Sequence, residues 1–303
     1  MTVSVLIPAK GPVPYLKKSL DSVLSSTLKP DEILLVDDGI DPSQLEYIKS
    51  NVLSPTLRIL NNDGVGLVDA LNTGIYSAKS TFIARIDSDD LVNSERFTTQ
   101  IKILDDNPEI VVLGSQIKYI DKEGGLNGVS NYPVGVLNEH KSFYKRSLLA
   151  HPSVMIRKTA LIRVGGYRET VTLNETSLCE DFDLWRRIAD QGTLVNLDTA
   201  LTYYRQHETQ LSVENSAAQA LATFIISNNF FNASSKRVKL QFEGQKTIFP
   251  EYMKVLKFMN LSNKLLFILK AKLLNARASN GVLKHFFLSK CINLYDRILR
   301  LFY

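Results

Sequence analysis

Three carboxylates fall within four residues in Asp87-Ser88-Asp89-Asp90, directly after the apolar run 82–86. Crowding like charges is costly unless a cation or hydrogen-bond donors compensate. Oxygen ligands of this kind suit Mg²⁺ or Mn²⁺, which commonly reach a protein through one or two carboxylates plus substrate phosphates. A solvated Asp-rich turn capping the next helix has the same pattern, so these residues alone leave both readings open. An EF-hand is excluded, because Leu91 and Val92 stand where that loop needs an oxygen ligand and a glycine. A second cluster, Glu180-Asp181-Phe182-Asp183, opens a helical pattern. There carboxylates either complement the helix dipole or act as a general base toward a substrate hydroxyl. A third acidic group is Asp37-Asp38-Gly39. Of the four histidines, His207 follows a strand-like run and could reach a metal ion as neutral imidazole.

The elements that must position these groups follow from hydrophobic patterning. Short continuous runs rich in β-branched residues at 3–7, 33–36, 57–60, 82–86 and 110–113 read as strands buried on both faces. Helical patterns lie between them at 15–25, 42–51, 65–77 and 94–105, with Pro14 and Pro42 suited to first turns and Ser94 to an N-cap. This alternation predicts an α/β fold with a mostly parallel sheet flanked by helices. In such sheets ligands sit beyond the carboxyl ends of the strands, so the acidic groups after the second and fourth strands meet at one edge. Residues 121–135 read as a loop or hairpin, 153–156 and 194–205 as strands, 180–190 as a helix, and everything from 213 onward as helical.

Composition narrows the possibilities. The 303 residues are 45% hydrophobic with two cysteines, enough for a substantial core and unsuited to a disulfide framework or a cysteine-based zinc site. Cys179 and Cys291 are far apart, which fits a reducing cytoplasm. The net charge of +5 conceals two opposed parts. Residues 1–232 carry 22 Lys and Arg against 28 Asp and Glu, a net of −6; residues 233–303 carry 14 against 3, a net of +11. An acidic body argues against nucleic acid as the ligand, while the basic tail suits an anionic surface. No apolar run is long enough to span a bilayer, and the N-terminus reads as a first strand rather than a signal peptide. The chain holds no dinucleotide fingerprint, P-loop or nucleophile elbow.

Taken in order, the motifs resemble the inverting family 2 glycosyltransferases of the GT-A fold. They are Val3-Ser4-Val5-Leu6-Ile7-Pro8, Val36-Asp37-Asp38-Gly39, Ala70-Leu71-Asn72, Ile83-Ala84-Arg85-Ile86-Asp87-Ser88-Asp89-Asp90, His151-Pro152-Ser153, Gly165-Gly166-Tyr167-Arg168, Glu180-Asp181-Phe182-Asp183-Leu184-Trp185 and Tyr204-Arg205-Gln206-His207. The resemblance implies transfer of a sugar from a nucleotide-diphosphate donor, a UDP-sugar foremost, to an acceptor hydroxyl with inversion. It places Pro8, Asp38, Asn72, Asp87 and Ser88 on the donor. Asp89, with His207, would hold Mn²⁺ or Mg²⁺, and Asp181 would be the catalytic base, with Glu180 and Asp183 as less favoured alternatives. Ala9-Lys10-Gly11 departs from the aromatic-Asn pair that often follows the first strand, which leaves the nucleotide contact there open. The processive signature Gln-x-x-Arg-Trp is absent.

By family analogy the acceptor is a glycan or lipid-linked glycan of bacterial surface-polysaccharide synthesis. The domains expected are a catalytic domain, 1–232, and a basic helical C-terminal extension, 233–303. Amphipathic helices in that extension would pack on the catalytic domain or lie peripherally on the cytoplasmic membrane. Competing readings are a nucleotidyl- or phosphoryl-transferring α/β enzyme, for which no phosphate cradle is found, and a non-catalytic sugar-nucleotide-binding scaffold.

Overall fold

The computed structural model describes residues 1–62, 64–173, 176–207, 216–227 and 238–240. The chain divides into two units, Met1–Val238 and Lys239–Tyr303, and the first carries the site. In chain order it begins β1 (Val3–Gly11), α1 (Leu16–Leu24), β2 (Glu32–Ile40), α2 (Pro42–Asn51), β3 (Leu57–Asn61), α3 (Leu67–Ser77) and β4 (Phe82–Arg85). Next come β5 (Leu91–Val92), α4 (Arg96–Asp106), β6 (Ile110–Ile120), β7 (Leu126–Val129), β8 (Gly135–Val136), β9 (Met155–Arg157) and α5 (Lys158–Arg163). It continues through β10 (Val171–Leu173), β11 (Thr176–Leu178), α6 (Glu180–Ile188), β12 (Thr193–Arg205) and α7 (Ser216–Ser227), and a last short strand, β13, is Val238–Leu240.

The main sheet has the order β3-β2-β1-β4-β9-β6-β12-β5. β1 to β4 form a parallel block, and β6 runs parallel to β12. The short β9 is antiparallel to both β4 and β6, so all six major strands still point the same way. Their carboxyl ends therefore share one edge. Alternate residues of β1 and β2 enter different cores. Leu6, Leu34 and Val36 pack with Leu71, Ile75 and Trp185 of α3 and α6. Val5, Ile7, Ile33 and Leu35 pack with Leu16, Leu20, Phe97 and Ile101 of α1 and α4. Helices on both faces explain why these strands read as continuous apolar runs.

The expected strands and helices are present, with boundaries moved for identifiable reasons. β1 runs past Pro8 to Gly11, because the pairing with β4 ends at Leu6–Arg85 and no N–H is required of residue 8 on that side. β6 continues beyond 113 although Ser115 and Gln116 are polar. Both are buried, and Gln116 bonds Tyr132 O, Tyr132 N and Ser130 Oγ at 2.7–2.9 Å. The 121–135 segment is a hairpin through β7, its tip formed by Asp121 accepting three backbone N–H bonds. Ser94 does not cap α4; Asn93 precedes it and accepts from Glu95 N at 3.0 Å. Pro42 does open α2, capped by Asp41. α5 and the β10–β11 hairpin lie in stretches too short to show a period. Of the expected helical extension, only 238–240 is described, and it is a strand, in keeping with its alternating Val-Lys-Leu. The rest of 233–303 lies outside the described residues.

Candidate active site

β4 ends at Arg85, and the Asp87–Asp90 turn follows at the carboxyl edge. Asp87 forms a two-point ion pair with Arg85, whose side chain is only 5% exposed. Asp89 Oδ2 meets His207 Nε2 at 2.8 Å. Asp90 is fully buried; its Oδ1 accepts from Arg205 N at 2.8 Å and its Oδ2 has no partner. Ligand atoms of Asp87, Asp89 and Asp90 lie within 4.8 Å of one another. Burial raises Asp90 well above its ordinary value, with Asp87 and Asp89 adding to the shift. Ser88 sits half-buried in the same turn.

Arg205 fastens this turn, and Arg96 fastens the end of β4 that leads into it. Arg205, the last residue of β12, donates to Asp89 O, Asp121 O and Lys122 O at 2.9–3.1 Å and lies 4.4 Å over the Tyr15 ring. The same ring is 5.8 Å from His207. Arg96, buried in α4, donates to the carbonyls of Arg85, Pro152 and Val154 at 2.8–3.1 Å. Burial, then Arg85, lowers its guanidinium to about 9. Arg96→Met removes the side-chain donor to the Arg85 and Pro152 carbonyls, while Val154 O keeps its bond from Arg85 N, so a loss of about 1–3 kcal/mol in urea-unfolding stability is expected.

Across from the aspartates, α6 begins with Glu180-Asp181. Ser147 Oγ donates to Asp181 Oδ2 at 3.2 Å, and burial raises the Asp181 carboxyl above its ordinary value. Burial and the adjacent Asp181 push Glu180 up to about 8. His151 Nδ1 lies 3.9 Å from Glu180, and its Nε2 is 2.7 Å from the Tyr167 hydroxyl; burial holds this imidazole well below its ordinary value, hence neutral. Asp183 is different: Arg168 binds it through two nitrogens and Arg187 at 2.7 Å, leaving it a structural ion pair rather than a base.

On the other side, β2 holds one residue more than β1 between Ala9–Asp37 and Gly11–Ile40. Gly39 takes φ +92° in this bulge, and Asp37 accepts from Gly39 N and Ile40 N. The irregularity presents Asp38, which accepts from Asn62 Nδ2 and Gly66 N at 2.7 and 2.9 Å and faces Lys10 Nζ at 3.4 Å. Pro8 lies buried one register step before Asp37, beside Val36.

The carboxylates of β4 and α6 fall in one electrostatic field. Asp87 and Glu180 both act on Arg85, and Asp181 acts on Asp87.

Residues 4–169 match the family description "Glycosyl transferase family 2". The chain belongs to this family. A glycosyltransferase of amylovoran biosynthesis from Erwinia amylovora is 30% identical over 193 residues, 63% of this chain and 70% of that protein. An Escherichia coli UDP-Gal:alpha-D-GlcNAc-diphosphoundecaprenol beta-1,3-galactosyltransferase is 28% identical over 184 residues, 59% and 63% of the two chains. Staphylococcus aureus TarS 1–349, solved with UDP-GlcNAc, superposes with a TM-score of 0.58 at 18% identity, covering 92% of this chain and 79% of that one, and shares the GT-A fold.

For a family 2 glycosyltransferase, the expected residues Asp87, Ser88, Asp89 and His207 are brought together in one cluster. Asp181 opens α6 within electrostatic reach of Asp87, and Pro8 and Asp38 occupy the neighbouring strand ends. Asn72 is the exception. It was expected on the donor, but its carboxamide bonds Tyr167 N and Tyr167 O, both at 2.9 Å. A Cβ on Gly166 (φ +69°) would stand 2.4 Å from Asn72 Oδ1, so that glycine permits the clasp. Asn72 therefore fastens α3 to the turn behind His151. Arg85, Arg96 and Arg205 were not expected at the site. Arg85 and Arg205 stand in the quoted motifs without an assigned role; Arg85 interrupts an apolar run, where burial demands a partner, while Arg96 carries no such local mark.

Proposed function

We propose that this glycosyltransferase moves a sugar from a nucleotide-diphosphate donor, a UDP-sugar, to an acceptor hydroxyl by single displacement with inversion, using a divalent cation. The observation that carries this reading is that the Asp87–Asp90 cluster and the Glu180-Asp181 pair share the electrostatic field of one buried guanidinium, Arg85.

The residues fit a Mn²⁺ or Mg²⁺ ion. Asp90 Oδ2 is a buried acceptor with no partner, which points to an absent ligand or ion. Asp89 and His207 offer atoms 2.8 Å apart, close to the roughly 3 Å that separates two ligands at right angles on one ion. Asp89 and His207 would hold it, with Asp87 alongside. When bound, the ion supplies positive charge to the leaving diphosphate.

The chain's own residues account for the remaining chemistry. Pro8 and Asp38 border the nucleotide, with Asp38 fixed by Asn62 and Gly66 to receive a base N–H. Asp87, aligned by Arg85, and Ser88 face the donor sugar and ribose. Asp181 removes the acceptor proton as the acceptor oxygen bonds to the anomeric carbon and the bond to the diphosphate breaks. A base held above its ordinary value is better matched to neutral pH than a solvated aspartate. Glu180, neutral at pH 7, leaves the negative charge to Asp181.

A pH profile of kcat tests the pair. Asp181 must be ionised to act, so the rate falls with acid through a value raised from that of an ordinary aspartate. Glu180 ionises near pH 8 and produces a second inflection there. Because Glu180 is already neutral in acid, Glu180→Gln keeps the acid limb and loses the upper inflection. An upper inflection that survives in Glu180→Gln would remove Glu180 from the scheme.

The amylovoran and diphosphoundecaprenol relatives support a role in bacterial surface-polysaccharide or O-antigen assembly, with a lipid-linked glycan as acceptor. No described helix is long and apolar enough to cross a membrane. The +11 charge of 233–303 supports a peripheral position on the anionic cytoplasmic face of the membrane that holds such an acceptor.

A further inference from the structure

Between β8 and β9 the chain builds a compact turn that contributes no strand to the sheet. Phe143, 3% exposed, anchors it. Backbone bonds from Phe143 N to His140 O and from Lys145 N to Ser142 O, 2.8 and 2.9 Å, wind it tightly. The winding leaves Lys141, Tyr144, Lys145 and Arg146 exposed and ends at Ser147, which bonds Asp181. The turn is thus tethered directly to the base.

Its charge runs against that of its surroundings. Within a body of net −6, no acidic residue occurs between Glu139 and Glu169. Among the described residues, Lys141, Lys145 and Arg146 make no ion pair. Burial pushes the Tyr132 hydroxyl up to about 12, with Asp181 acting in the same direction and Arg146 against it. The half-buried Tyr132 therefore senses both the base and Arg146. Tyr144 adds an aromatic surface: the residue is 53% exposed, and its ring packs edge-on to Phe143 at 5.0 Å and has the Arg186 guanidinium 5.6 Å over it. Arg186 is itself held by Phe182 and Ile226 O. A rigid, half-exposed ring beside unpaired cations is suited to a sugar that carries phosphate.

We infer that the 140–146 turn is an acceptor subsite, in which Lys145 and Arg146, with Lys141, receive phosphate oxygens of the acceptor and Tyr144 carries the adjoining sugar ring. This rests on Asp181 being the base, since the turn is placed by its bond to that residue. The phosphate can belong to the diphosphate that joins a glycan to its lipid, or to a phosphodiester within the glycan.

The test is titration calorimetry on the full chain, saturated with UDP and Mn²⁺ so that the donor side is filled. The probes are a short-alkyl α-GlcNAc diphosphate, the uncharged alkyl α-GlcNAc glycoside, and a glycan with an internal phosphodiester. Lys145→Ala/Arg146→Ala should weaken a charged probe about tenfold while UDP and the uncharged glycoside change by less than about twofold. Whichever charged probe loses affinity identifies the source of the phosphate. Tyr144→Ala should weaken the charged and uncharged sugar probes alike. Equal affinity of wild type and the double variant for both charged probes, with UDP binding intact, overturns the subsite. A fourth arm measures binding to vesicles containing anionic phosphatidylglycerol; a loss confined to those vesicles would assign the turn to lipid and likewise overturn the subsite. Failure of UDP to bind wild type would instead overturn the parent reading.

Discussion

Asp181→Asn lowers kcat for sugar transfer by about 10²- to 10⁴-fold, the contribution expected of a positioned general base, and leaves UDP affinity unchanged. The substitution is nearly isosteric, so the Ser147 hydroxyl keeps an oxygen to bond. The amide cannot take up the acceptor proton. Donor binding is spared because the groups proposed for the metal and nucleotide lie on β1, β2, the turn after β4 and just past β12 rather than on α6. The effect therefore falls on kcat and not on donor affinity, the pattern of an interaction made in the transition state. Asp183→Asn has a different signature. It weakens the bonds to Arg168 and Arg187, and stability falls before any specific catalytic step does. Stopped assays at saturating donor, paired with UDP titration, separate the two. Full transfer activity in Asp181→Asn would remove it from the role of base.

The second large effect is at Asp89. Asp89→Asn should abolish the part of UDP binding that depends on Mn²⁺, a loss of about 100-fold or more in the presence of the ion, and change little in its absence. Asp89 Oδ2 is paired with His207 and not with Arg85, so its charge is the one in the cluster best placed for a cation. His207→Ala should give a smaller loss of the same kind, since a carboxylate remains. Asp87→Asn instead frees Arg85, and its defect should persist without metal. Equilibrium dialysis of UDP with and without Mn²⁺ reads all three.

Much of this arrangement is legible in the sequence because parallel strands buried on both faces leave continuous apolar runs, and their ends are marked by acidic residues. Asp38 and Asp89 follow such runs, and His207 follows the longer, mixed strand β12. The three arginines are harder to assign. Arg85 resembles a surface residue by type, and only the four-stranded block around it shows that burial forces a bond to Asp87. Arg205 and Arg96 act through backbone carbonyls up to 116 residues distant in sequence, and no local pattern reports such contacts. Asn72 illustrates the opposite limit. Its type and position suit a ligand contact, yet the tertiary fold engages its carboxamide with Tyr167. The end of β6 was hidden because Ser115 and Gln116 break the apolar run; Gln116 finds its hydrogen bonds in the hairpin segment that follows, while Ser115 N donates to Ser153 Oγ, 38 residues away.

The most direct test of single displacement at this site is the anomeric configuration of the sugar transferred or released from UDP-α-GlcNAc and UDP-α-Gal with Mn²⁺, followed by proton NMR before mutarotation. The account predicts that the β anomer forms first, at a rate that collapses in Asp181→Asn. Initial formation of the α anomer, or β product made equally well by Asp181→Asn, would contradict it.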